Sequence, residues 1–202
     1  MPVLEVTQLR LRGISTEDPK LLHSLSDARE RLQTKSQFYV CIEDPTKMYI
    51  LGIWRDLKQH LDFLASPARG EILGPQEDIL EFEWTVHMDV ESMSSLALDA
   101  PILALERLSV GESSVKALDP AVMSYVQQLR GSHPFTVTYG WRCDAAPGSY
   151  EAIIFSGWEI PQAHVPFAAR QQRHGNGDHA TIIGQYEDIL VHHAWNLERK
   201  RA

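Results

Sequence analysis

Apolar positions along the chain change period several times, and each change marks an element. Residues 3–12 (VLEVTQLRLR) read as a strand closed by Gly13. Residues 18–35 take up a helical period, with Leu21, Leu25, Ala28 and Leu32 on one face. Two short apolar runs, 37–42 and 48–54, flank the turn-forming cluster Asp44-Pro45-Thr46-Lys47 and predict a hairpin. Residues 55–66 return to helical spacing through Leu57, Leu61 and Leu64, which predicts that these leucines bury the helix. Pro67, Gly70, Gly74 and Pro75 then predict a looser segment. Residues 81–90 alternate: Phe82, Trp84, Val86, Met88 and Val90 fall on one face, and Glu81, Glu83, Thr85, His87 and Asp89 on the other. The order is β-α-β-β-α-β, a split βαβ or ferredoxin-like unit.

After a linker at 91–99 the order begins again. Residues 101–110 read as a strand and 119–130 as a helix with Val122, Val126 and Leu129 on one face. Residues 134–143 and 150–158 read as strands around the turn Ala145-Ala146-Pro147-Gly148-Ser149. Residues 159–172 are helical in spacing, with Pro166 shortening the helix. Gln171–His179 reads as a loop, and 182–198 fits either a helix or a closing strand. The halves also share residues. Trp54 is followed six positions on by His60, and Trp158 six positions on by His164; Phe63 and Phe167 follow those histidines by three. Glu77-Asp78-Ile79-Leu80 matches Glu187-Asp188-Ile189-Leu190. Matches in the same order argue for duplication. The expected architecture is α+β, two tandem ferredoxin-like units with 1–95 as the first and 96–202 as the second.

Composition narrows the function classes. Hydrophobic residues are 44% and charged residues 23%, with a formal net charge of -8, ordinary for a soluble protein and unfavourable for nucleic acid. Arg199-Lys200-Arg201, the only dense basic run, reads as a solvated tail. No apolar stretch reaches the roughly 20 residues of a membrane helix, and the N-terminus lacks signal-peptide regions, so a cytoplasmic protein is expected. Cys41 and Cys143, both in or at the end of strand-like runs, read as reduced, buried residues. No Gly-rich phosphate loop or nucleophile elbow is present. His174, His179, His192 and His193 have no metal-ligand spacing, and neither metal nor other cofactor is expected.

A strand ending in Trp, then a polar helix start, then His and an aromatic, resembles the antibiotic-biosynthesis monooxygenase (ABM) family of the dimeric α/β barrel superfamily, in particular its fungal tandem-repeat members. Ile50–Trp54 through His60–Pro67 carries most of the likeness, with Leu80–His87 adding to it; Gly157-Trp158, His164 and Phe167 match more loosely. The resemblance implies that the two units close on each other as a single-chain barrel. Its relatives include oxygenases that use O₂ without metal or flavin, haem-degrading enzymes and polyketide cyclases, so it fixes function less firmly than fold. Some members space Trp and His more widely than this chain does, so their histidine role does not carry over.

Three histidines are candidate catalytic residues. His60 sits at the edge of the face bearing Leu57 and Leu61, where it would look into a cavity between helix and sheet and take a proton near neutral pH. His164 recurs at the matching place. His87 shares a strand face with Glu83 and Thr85, a face that would line the barrel if the two sheets meet there. A histidine capping the helix or packing between layers also accounts for His60, duplication of a structural residue for His164, and solvation or mutual hydrogen bonding with Glu83 and Thr85 for His87. Trp54, Trp84, Tyr139, Trp141, Phe155 and Trp158 would wall an aromatic substrate pocket, although each alone reads as core. The expected function is a small-molecule tailoring enzyme on an apolar aromatic or polyketide-like substrate, most simply a cofactor-independent monooxygenase with a histidine base. A cyclase, isomerase or decarboxylase would begin with the same proton removal, and a non-catalytic carrier would use the same pocket. A homodimer is compatible with all of these.

Overall fold

The first helix begins where Asp18 accepts the N–H of Lys20 and Pro19 supplies a preset first helical residue. The computed structural model describes residues 1–132, 134–167, 169–170 and 186–199. Its contacts divide the chain into two units, Met1–Met93 with Ala194–Ala202, and Ser94–His193. The end of the chain thus falls in the first unit, because Ala194, Trp195 and Asn196 pair with Cys41, Val40 and Tyr39.

In the first unit the elements are β1 (Val3–Leu11), α1 (Pro19–Leu32), β2 (Gln37–Cys41), β3 (Lys47–Trp54), α2 (Leu57–Leu64), α3 (Pro67–Leu73) and β4 (Leu80–Asp89). The strands are antiparallel in the order β4-β1-β3-β2. Helix α1 buries Leu21, Leu25 and Ala28 and ends at Gln33, whose left-handed φ of 53° returns its N–H to the last turn. Leu21 and Leu25 join Leu9, Phe38, Met48 and Leu80 in one core cluster. Each fully buried leucine there contributes about 1.5–3 kcal/mol.

Three features differ from the sequence expectation. Helix α2 turns a different face inward: His60 is its buried residue, while Leu61 is 49% exposed. Asp56 starts the helix by accepting the Gln59 N–H. The segment after it is a helix, α3, because Pro67 occupies the first turn rather than breaking it. Strand β4 does not alternate throughout. Gln8 pairs with Trp84 but Leu9 with Phe82, so Glu83 is a bulge residue. The bulge brings Phe82 onto the face of Thr85 and His87. That face, with Glu5, Thr7 and Leu9 of β1, looks onto the helices of its own unit.

The second unit holds β5 (Ile102–Gly111), α4 (Glu112–Ser132), β6 (Val137–Trp141), β7 (Ser149–Trp158) and most of β8 (Tyr186–Asn196), in the order β8-β5-β7-β6. Its strand order repeats that of the first unit place for place. Helix α4 starts before residue 119 and carries Pro120 inside it. Only a 3-10 turn, Pro161–Ala163, precedes His164, and helical backbone resumes at Phe167 after Pro166. The C-terminal segment is a strand, so Glu187–Leu190 lies within β8, whereas Glu77–Ile79 precedes β4. Leu118, Val122, Tyr125, Val126 and Leu129 of α4 pack on Ala104, Leu108, Ala152 and Ile154. Cys143 is exposed rather than buried, since β6 ends at Trp141 and Cys143 lies in the turn beyond; Cys41 is buried.

Candidate active site

Strand β1 places Glu5 opposite Gly52 of β3 on one side and His87 of β4 on the other. With no side chain at Gly52, the Glu5 carboxylate settles against the sheet. A Cβ there would meet Glu5 Oε2 at 3.1 Å and Ser36 Oγ at 3.2 Å. Glu5 Oε2 accepts the indole N–H of Trp54 at 2.6 Å, and Oε1 accepts the Thr7 hydroxyl at 2.7 Å. Two of the four acceptor positions of the carboxylate are thereby used.

His60 stands over this carboxylate. Its ring stacks on Trp54 with centroids 4.4 Å apart and planes 15° from parallel, and Phe63 continues the stack 5.6 Å from Trp54. His60 Nε2 lies 3.7 Å from Glu5 Oε2, an ion-pair separation beyond a direct hydrogen bond. On its other side His60 Nδ1 lies 2.7 Å from His87 Nε2. An ionised Glu5 favours the His60 tautomer with its hydrogen on Nε2, which makes Nδ1 the acceptor of a His87 N–H. The result is a chain of proton-carrying groups, Glu5–His60–His87.

Glu5, Trp54, His60 and Phe63 line one end of a cavity of about 560 Å³ inside the first unit. Helix α1 contributes Leu25, Ala28 and Leu32, and α3 contributes Leu73. Strands contribute Thr7, Leu9, Phe38, Ile50, Phe82 and Thr85. At the far end of β1 the cavity is bordered by the ion pairs Arg12–Glu81 at 2.9 Å and Arg69–Glu77 at 2.8 Å. Arg29 also borders it, and the Glu198 carboxylate at 2.8 Å holds that guanidinium more firmly charged than usual. The volume falls in the range of small-molecule sites, and the wall is apolar apart from the Glu5 end and the rim.

The second unit builds a related chain and closes it. His164 Nδ1 lies 2.9 Å from His193 Nε2, and His164 Nε2 lies 3.1 Å from Glu106 Oε1. Trp158 tilts against His164 at 5.0 Å. The carboxylate, however, comes from one pleat further along the strand: Glu106 faces Ile154, and it is Ala104 that faces Ser156. Ser156 occupies the place two residues before the strand-ending Trp that Gly52 holds in the first unit, and it takes the Trp158 N–H at 2.8 Å. Glu106 is 1% exposed. It accepts the Tyr125 hydroxyl at 2.8 Å and the Phe167 backbone N–H at 2.7 Å. Burial first, then the Glu106 charge, pushes the Tyr125 hydroxyl far above the usual phenol range.

His60 and His87 are therefore brought together, and His164 heads a separate, closed chain in the other unit. Of the six aromatics expected to wall a pocket, Trp54 lines the cavity. Trp84 leans on Tyr49 at 5.9 Å on the opposite sheet face. Tyr139 and Trp141 both donate to Asp119 of α4, and burial raises the Tyr139 hydroxyl. Trp158 lies on the helix side of β7, while Phe155, 1% exposed, lies on its other face. His174 and His179 lie outside the described residues. Among the described residues no cluster of three or more His, Cys, Asp or Glu suits a metal ion. The residues that sequence reasoning missed are Glu5, Gly52, Glu106 and Tyr125. The available signal was Glu106, one carboxylate on the otherwise apolar face Ile102, Ala104, Leu108 and Val110 of β5; Glu5 shares its face with Thr7 and carries no such mark.

No family model matches the chain, and no curated protein matches it in sequence. Solved structures do match. One is a crystal structure from Lactobacillus acidophilus provisionally named a monooxygenase, 12% identical, covering 97% of this chain and 94% of its own, with a TM-score of 0.57. An anthrone oxidase-like protein is 13% identical over 99% of this chain and 95% of its own, with a TM-score of 0.59. A variant of chlorite dismutase from Candidatus Nitrospira defluvii is 10% identical over 98% of this chain and 92% of its own, also with a TM-score of 0.59. At these identities the likeness is one of fold, and the solved structures it matches have the dimeric α/β barrel fold. No helix among the described residues is long and apolar enough to cross a membrane.

Proposed function

We propose that the chain is a cofactor-independent monooxygenase of the tandem-repeat ABM type, acting on an apolar aromatic or polyketide-like molecule in the cavity of its first unit. The observation that carries this reading is a carboxylate, Glu5, opening onto an apolar cavity and backed by two hydrogen-bonded histidines. A carrier needs no such chain. His60 has both ring nitrogens engaged by protein groups, so the expected histidine base acts through Glu5, which keeps unused acceptor positions.

The reaction begins with a methylene flanked by aromatic rings and conjugated with a carbonyl. Glu5 takes its proton and becomes neutral, the negative charge stays on the substrate anion, and His60 Nε2, backed by His87, keeps the carboxyl group in place. Loss of the O–H proton from the phenol tautomer gives the same delocalised anion. That anion is electron-rich enough to react with O₂, and the resulting hydroperoxide loses water to leave a ketone. The substrate supplies all four electrons, so the balance needs no reductant. Trp54 and Phe63 hold the ring system against the apolar residues of the cavity wall. An anthrone is the simplest molecule with this chemistry, and a protein sharing the fold is called anthrone oxidase-like.

The test is oxygen uptake with an anthrone by chelator-dialysed, colourless protein. The expected result is uptake above the spontaneous rate and one ¹⁸O atom from ¹⁸O₂ in the ketone. Uptake no faster than in buffer, or uptake that appears only on adding a metal or flavin, rejects the proposal.

A further inference from the structure

Tyr125 is a phenol that the second unit has placed on its own carboxylate–histidine pair. Its hydroxyl donates to Glu106 Oε1 at 2.8 Å and lies 3.3 Å from His164 Nε2 and 3.2 Å from the Val165 carbonyl. Its ring is 5.4 Å from that of Phe167, the aromatic three residues beyond His164. The first unit offers the same groups: the Glu5 carboxylate, His60 Nε2 at 3.7 Å from it, and Phe63 three residues beyond His60. There α1 presents Leu25, Ala28 and Leu32 to the cavity, in place of the tyrosine that α4 extends.

We propose that Tyr125 stands in for the ligand of the first unit: that cavity binds a fused-ring aromatic through a neutral hydroxyl donated to Glu5 beside His60 Nε2, and the second unit is the same kind of site occupied by a side chain. This deepens the proposed function by naming the group on which the ligand is recognised, and it rests on the cavity being the ligand site. A carboxylate that keeps free lone pairs needs a donor, and a hydroxyl is the donor that the twin arrangement accepts. Tyr125 reaches both Glu106 and His164 from the side, and a ligand hydroxyl would approach Glu5 and His60 in the same way.

The experiment compares 2-naphthol with 2-methylnaphthalene, which replaces the hydroxyl by a methyl of similar size, by tryptophan quenching and equilibrium dialysis of the full chain without added O₂. The expected result is one naphthol per chain, bound about tenfold or more tighter than the methyl analogue. In Glu5→Leu the preference should fall to about twofold or less, with the analogue still bound, which shows that the fold survives. Tyr125→Ala should raise the stoichiometry to two naphthols per chain; if that variant does not fold, the Glu5→Leu comparison decides alone. Equal binding of the two probes, an unchanged preference in Glu5→Leu, or a folded Tyr125→Ala that still binds one naphthol overturns the proposal. Hydroxyl-selective binding without oxygen uptake would leave it standing and remove the monooxygenase reading instead.

Discussion

Glu5 and Gly52 face each other across the β1–β3 ladder, and the missing side chain of the glycine is the space the carboxylate uses. Trp54 and Thr7 pin the carboxylate from two other directions, so it has little freedom to retreat. Gly52→Ala should therefore leave the strand intact and displace the carboxylate by a few tenths of an ångström or more. With catalysis sensitive to such placement, kcat/KM should fall about 10- to 100-fold while Tm changes by only a few degrees. Steady-state oxygen uptake and a thermal melt check this, and unchanged turnover would mean that the position of Glu5 is immaterial.

The two chains of acid–base groups predict an asymmetry. Glu5→Gln should lower turnover about 10²- to 10⁴-fold, the usual contribution of a general base, and His60→Gln should lower it by acting through Glu5. His87→Gln should act in the same direction through His60, with its effect mainly on kcat and on the pH profile rather than on KM. His164→Gln should turn over at close to the wild-type rate, because Glu106 beside it is buried and already holds the Tyr125 hydroxyl and the Phe167 N–H. Circular dichroism serves as the folding control. A dead, folded His164→Gln beside an active His60→Gln would move the site to the second unit.

Much of the fold was legible because period is a strong signal. The strands at 3–11, 37–41 and 47–54 lie where their apolar runs place them, and 80–89 is a strand whose alternation breaks at Glu83. What failed, failed for local reasons. Leu57, Leu61 and Leu64 are a plausible buried stripe, but Leu61 faces out and His60 is the buried residue of the helix. Pro67 reads as a breaker and is a helix start. The Glu83 bulge cannot be seen in a strand's own sequence, since it exists only in the register with β1. The site was half legible. His60, His87 and Trp54 announced themselves by type and spacing, whereas Glu5 looked like any solvated residue of an alternating strand. Its role appears only when β3 lays Gly52 beside it.

The cysteines give a simple check on the packing. Burial, above all, pushes the Cys41 thiol up to about 11, so it carries almost no thiolate near neutrality. Cys143 is exposed. A thiol-specific disulfide reagent at pH 8 should modify one cysteine rapidly in the native chain and the second only on denaturation. Mapping the label by peptide mass should place the fast site at Cys143, and rapid labelling of Cys41 would show that β2 opens freely.

Tyr125 predicts a pH dependence of stability. Its hydroxyl is held above the ordinary phenol range by burial and by the Glu106 carboxylate, so the folded chain favours the protonated form more than the unfolded chain does. For an acid shifted in this direction the contribution is complete below the unfolded pKa of about 10 and drains away as the pH rises beyond it toward the folded value. Tyr139 is shifted the same way beside Asp119 and adds to the slope. Tyr125→Phe removes one donor from a carboxylate that is 1% exposed and leaves the Phe167 N–H and His164 as its partners. The cost at pH 7 should be about 1.5–3 kcal/mol, and a few degrees in Tm per kcal/mol for a chain of this size. Between about pH 9 and 11 the wild-type Tm should fall more steeply than that of Tyr125→Phe, so that the two curves converge. Parallel curves, or a variant as stable as wild type at pH 7, would show that the Tyr125–Glu106 bond does not hold the second unit closed.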